Sequence, residues 1–172
     1  MDSRSIELGP VPRVAVESFG EPGRRTFRIF AETADGSVSL WLEKEQIVGL
    51  VAAVEQLLES VPAPSGEEPH AGAGSRFIGD FDVKVASLSV GYEPRRNGFT
   101  ITGSDFLADL PVESVTMLAS RSQLSELLEQ AEEIVAAGRP RCVLCGTPLT
   151  GEPHFCPPSN GHAHTGLEDV DE

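Results

Sequence analysis

The sequence predicts an α+β fold: two βββα-like repeats forming a mostly antiparallel sheet with two helices, followed by a C-terminal zinc knuckle. Three observations carry this expectation. The chain resembles itself between its two halves, each half switches from strand-like to helical hydrophobic spacing, and all three cysteines fall within one short segment near the end. The expected organisation is a flexible N-terminus over 1–10, a first half over 11–60 and a mobile linker over 61–76. A second half over 77–138, the knuckle over 139–164 and a disordered acidic tail over 165–172 complete it.

The self-similarity is ungapped around the third strand and the helix. Ser37-Val38-Ser39-Leu40 aligns with Ser114-Val115-Thr116-Met117, and the register continues through Gln46 on Gln123, Leu50 on Leu127 and Glu55 on Glu132. In the first half, Arg13–Phe19 and Thr26–Thr33 are rich in β-formers and flank the turn Glu21-Pro22-Gly23. A third strand, 37–42, follows the Asp35-Gly36 turn. Ile47, Leu50, Val51, Val54, Leu57 and Leu58 then recur at helical spacing, which predicts an amphipathic helix over 43–60.

The second half repeats this order. Residues 81–92 alternate, with Phe81, Val83 and Val85 on one face, and 98–102 returns as a hairpin partner across Arg95-Arg96-Asn97. Ser114–Ala119 is the third strand. Ser120 and Gln123 form a capping-box pattern that satisfies free N–H groups of the helix start, and Gly138 with Pro140 closes the helix. One helix covers only part of one sheet face. The two units are therefore expected to join as a sheet of about six strands with both helices against it.

Bulk properties narrow the function. The formal charge is −14, from 27 acidic and 13 basic residues, which disfavours nucleic-acid phosphates and anionic membrane surfaces as partners. Aromatic residues make up only 6% of the chain, which limits base stacking. No apolar run approaches the roughly 18–20 residues of a membrane span, and the first residues lack the apolar core of a signal peptide, so a cytoplasmic location is expected. The Gly72-Ala73-Gly74-Ser75 stretch lacks the Lys and preceding strand of a phosphate loop. His70 aside, the histidines fall in the knuckle and tail, and no nucleophile elbow or His-Glu-x-x-His helix is present, so the balance is against an enzyme.

The segment Cys142-Val143-Leu144-Cys145-Gly146 carries the sharpest chemistry. Two thiolates separated by two residues can face one tetrahedral site, and Cys156 supplies a third sulfur. Crowded, odd-numbered cysteines in such a chain point to a structural Zn2+ rather than to a disulfide frame. The fourth ligand is His154 or His162, with His164 a further choice. His154 stands two residues before Cys156 and can share its side of an extended segment, whereas His162 would have to fold back. An open position beside Glu152 would instead suit a metal-dependent enzyme, and Arg139 and Arg141 leave room for a nucleic-acid-binding knuckle.

The segment from Ala136-Ala137-Gly138-Arg139-Pro140 through Cys142-x-x-Cys145-Gly146, His154-x-Cys156-Pro157 and Asn160-Gly161 resembles an uncharacterised actinobacterial family, a domain of unknown function. Gly20-Glu21-Pro22-Gly23-x-Arg25-Thr26-Phe27 and Leu42-Glu43-Lys44-x-Gln46 extend the similarity over nearly the whole length. Pro158 stands where family members carry an arginine. The resemblance implies a knuckle-bearing cytosolic protein of unassigned activity and favours His154 over His162. It also implies neighbouring genes for a histidine-phosphatase-like and a kinase-like protein. A non-catalytic protein-interaction or scaffolding role, with one of those products as partner, is the expectation.

Overall fold

The computed structural model describes residues 5–63, 65–70, 79–105, 114–138, 141–149 and 153–157. The chain divides into two compact units after Ala136.

Among the described residues the first unit has eight strands and two helices. In chain order these are β1 (Ser5–Pro10), β2 (Arg13–Phe19), β3 (Thr26–Thr33), β4 (Gly36–Leu42), α1 (Lys44–Ser60), β5 (Gly79–Lys84), β6 (Ser87–Glu93), β7 (Gly98–Ser104), β8 (Ser114–Ala119) and α2 (Arg121–Ala136). The α+β class with two helices and mostly antiparallel pairing is as the sequence predicts. The strands, however, form two four-stranded sheets, β2-β3-β4-β5 and β1-β8-β7-β6, instead of one sheet of about six.

Two strands account for the difference. Residues 81–92, read as one alternating strand, break at Val85-Ala86 into β5 and β6, which lie in different sheets. Phe81, Val83 and Val85 keep one hydrophobic phase up to the break, and Val85 is buried, so the period of two does not reveal it. Residues 5–10, expected to be a flexible terminus, form β1. Its Leu8 is buried in the core.

Each of these strands lies parallel to the last strand of the other half. β5 runs beside β4 with Leu40 opposite Val83, and β1 runs beside β8 with Ile6 opposite Val115 and a register shift between Glu7 and Gly9. The helices cross over as well: α1 packs on β6, α2 packs on β2, and the two helices touch each other. Ile47, Leu50 and Val54 of α1 and Leu124, Leu127 and Ala131 of α2 are the buried stripes. Burying each isoleucine, leucine or valine of these stripes stabilises the fold by about 1.5–3 kcal/mol. β2 is a sheet edge, and Gln130 of α2 blunts it by accepting the Val16 N–H at 2.8 Å.

Both helices start with the same device. Gln46 accepts the Glu43 N–H at 2.8 Å and donates to the Val85 carbonyl at 3.0 Å. Gln123 accepts the Ser120 N–H at 2.9 Å and donates to the Val11 carbonyl at 2.9 Å. One glutamine therefore completes a capping box and ties the helix start to the residue that follows the strand crossing from the other half. The expected pairing of Ser120 with Gln123 is present in both directions, the Gln123 N–H reaching Ser120 Oγ at 3.2 Å.

The described part of the expected mobile linker is attached to the second half. Arg121 donates to the carbonyls of Leu58 at 2.7 Å and Val61 at 2.8 Å, and Asn97 Nδ2 donates to the Glu67 carbonyl at 3.3 Å. Residues 71–76 and the acidic tail over 165–172 lie outside the described residues. Among the described residues no helix is long and apolar enough to cross a membrane.

Candidate metal centre

The second unit carries a cluster of three cysteines and a histidine. Arg141 and Pro148 form an antiparallel bridge. Between them the Cys142 N–H donates to the Thr147 carbonyl at 2.9 Å, and the Gly146 N–H returns to the Cys142 carbonyl at 2.8 Å. The turn closes through Gly146 at φ +72, a conformation that side-chain-bearing residues rarely adopt. This loop aims Cys142 and Cys145 at one point. The segment 153–157 brings His154 and Cys156 to the same place.

The ligand atoms of Cys142, Cys145, His154 and Cys156 all lie within 4.8 Å of one another. Cys142 Sγ and Cys156 Sγ are 3.8 Å apart, and Cys145 Sγ is 3.5 Å from His154 Nε2. Zinc–sulfur bonds of about 2.3 Å and zinc–nitrogen bonds of about 2.0–2.1 Å, set tetrahedrally, give edges of about 3.8 Å between sulfurs and about 3.6 Å between sulfur and nitrogen. The two observed separations match those edges. Cys142 and Cys156 are free thiols, far beyond the roughly 2.05 Å of a disulfide. Cys156 is the buried member, and the other three are partly exposed.

The electrostatics suit a cation. Thr147, first through its hydroxyl 3.2 Å from Cys145 Sγ and then through its backbone, holds the Cys145 thiol down to about 6. The backbone groups of Cys145 and Leu144 hold Cys142 below its ordinary value. His154 is raised, chiefly by Cys145 and then by Cys142. The Cys142 and Cys145 thiols thus give up their protons more readily than ordinary thiols, and a metal ion would displace the proton favoured on the imidazole beside them.

Of the site residues expected from sequence, Cys142, Cys145, Cys156 and His154 come together. His162, His164 and the candidate base Glu152 lie outside the described residues. Thr147 was not singled out from the sequence. A hydroxyl two residues after the second cysteine, just past the glycine turn, is the signal that could have found it.

A model of one protein family, described as a protein of unknown function (DUF3090), matches residues 7–156. The chain belongs to this family. No curated protein and no solved structure matches it. The DUF3090 span runs from within β1 to Cys156 and so takes in both sheets, both helices and all four members of the Cys/His cluster. A family member with this cluster has a site that could hold a metal ion.

Proposed function

We propose that the protein is a non-catalytic, zinc-binding interaction or scaffolding protein whose knuckle is its docking surface. The observation that carries this reading is the set of four donors within 4.8 Å. Four protein ligands fill a tetrahedral shell and leave no position for a reacting water, the pattern of structural rather than catalytic zinc. Zinc is the metal that three thiolates and an imidazole favour. The loops that carry the ligands turn their apolar side chains outward: Val143 is 99% exposed, Phe155 73% and Leu144 59%. Metal-stapled loops presenting large apolar groups support a protein contact, because such groups become favourable only when covered.

The partner in this proposal is the kinase-like or the histidine-phosphatase-like product of a neighbouring gene, met in the cytoplasm. The charge of −14 argues against nucleic acid. We further infer that the two halves arose by duplication. The matching glutamine bridges at Gln46 and Gln123 and the two reciprocal parallel strands support that origin.

The test uses the two purified candidate partners and the full chain in three forms: wild type, Cys142→Ser, and Val143→Ser with Leu144→Ser and Phe155→Ser. Binding of at least one partner by wild type, lost in both variants while the second keeps its zinc, is the expected result. Equal binding by all three forms, or no binding of either candidate, overturns the reading.

A further inference from the structure

A cleft beside the start of α1 has a volume of about 380 Å³ and is lined by Arg25, Thr26, Trp41, Leu42, Glu43 and Lys84. Pockets for small ligands and peptide side chains begin at about 300 Å³. Nε of Arg25 is buried there without a hydrogen-bond partner among the described residues. Trp41 is held in the wall by its indole N–H, which donates to Asp82 at 2.7 Å.

The strand registers give each lining position a counterpart in the second half. Phe27 pairs with Leu42 and Phe99 with Ala119, so Arg25 and Thr26 correspond to Asn97 and Gly98. Trp41 corresponds to Leu118 and Glu43 to Ser120. Lys44, the first residue of α1, corresponds to Arg121, the first of α2. Lys84 lies opposite Trp41 as Pro10 lies opposite Leu118.

In the second half this position is filled by the chain itself. The Glu68 carboxylate accepts the Arg121 N–H at 3.2 Å, and the Glu67 carbonyl accepts from Asn97 Nδ2 at 3.3 Å. Pro69 comes so close that a Cβ on Gly98 would sit 2.7 Å from its Cγ. An acidic segment thus caps the first turn of α2, where the free N–H groups and the helix dipole favour negative charge. In the first half the matching groups are unserved: among the described residues nothing accepts from the Lys44 N–H, and Arg25 Nε has no partner.

We propose that the cleft of the first half binds an acidic peptide segment of a partner protein. A carboxylate of that segment seats on the first turn of α1, between Arg25 and Lys84. The charge difference between the two positions fits this assignment. The second half has neutral Asn97 and Pro10 at the positions that Arg25 and Lys84 occupy in the open cleft, two cations in a chain with only 13 against 27 acids. A free peptide lacks the effective concentration of a tethered one and needs the stronger attraction. The carboxylate of Glu43, which also lines the cleft, opposes it, and the two cations outnumber that single charge. Thr26 carries a Cβ where Gly98 has none, so the carboxylate and carbonyl contacts transfer and the close-lying proline does not. Every residue that lines this cleft belongs to the first unit.

Trp41 is the only tryptophan and reports on the cleft directly. A capped peptide with the sequence of residues 65–70, alanine replacing Pro69, is titrated into the full chain while Trp41 emission is followed. The expected result is a saturable change that disappears when both glutamates of the peptide are glutamine. Affinity should fall on the order of tenfold in Arg25→Gln, as expected for loss of a charge-assisted hydrogen bond. Lys84 is exposed, so Lys84→Gln keeps the test decisive if Arg25→Gln does not fold, and it too should weaken binding. Equal responses to the acidic and amide peptides, no saturation at millimolar concentration, or an equal response to inorganic phosphate would each overturn the proposal.

Discussion

Cys145 Sγ stands 3.5 Å from His154 Nε2, a separation that belongs to two ligands of one tetrahedral ion as well as to a thiolate–imidazolium contact. Cys145 is the chief cause of the raised imidazole, and His154 adds to the lowering that Thr147 mainly imposes on the Cys145 thiol, held down to about 6. A metal ion would take the place of the proton they share.

Metal retention should therefore depend on pH with a defined sign. The Cys145 thiol, held down to about 6, is ionised at neutral pH and takes up a proton as the pH falls through that value. Protons and metal compete for the same sulfurs. Zinc should stay bound at pH 7.5 and be released progressively below about pH 6, read by a chromogenic chelator across a pH series. Retention unchanged down to pH 4 would contradict the thiolate assignment.

Thr147 should matter without being a ligand. Thr147→Val removes the hydroxyl beside Cys145 and should weaken zinc binding about 10- to 100-fold, the range for partners of metal ligands. Competition titration against a chelator of known affinity measures this. An unchanged affinity would mean that the hydroxyl does not tune the site.

The choice between histidines is open to a direct comparison. His154→Ala should abolish stoichiometric zinc binding, whereas His162→Ala should leave it intact. The reverse pattern would show that the fourth donor comes from beyond the described residues.

The glutamine bridges should carry measurable stability. Gln123→Ala strands the Ser120 N–H and the Val11 carbonyl, which should cost about 1–3 kcal/mol in urea unfolding. The exposed Glu126→Gln on the same helix should stay within about 0.5 kcal/mol of wild type. Leu127→Ala, which empties a fully buried site between α2 and the sheets, should cost about 2–5 kcal/mol.

How far the sequence reveals this molecule depends on the range of the interaction that fixes each part. The helix stripes at Ile47, Leu50 and Val54 and at Leu124, Leu127 and Ala131 are local patterns and are legible. So is the Cys142/Cys145 turn with Gly146, because chain geometry over five residues sets it. The break between β5 and β6 is not, since Val85 keeps the hydrophobic phase while the chain changes sheets. Nor is β1, whose six residues gain their structure only by pairing with β8, far along the chain. The cleft at Arg25 draws its wall from three separate stretches of chain, which no sequence pattern joins.

The central claim is met most directly by elemental analysis of protein purified without added metal or chelating resin. Close to one equivalent of zinc per chain, falling to near zero in Cys142→Ser and Cys156→Ser, is the outcome expected. Wild-type protein without any bound transition metal, still folded and with its three thiols reduced, would contradict it.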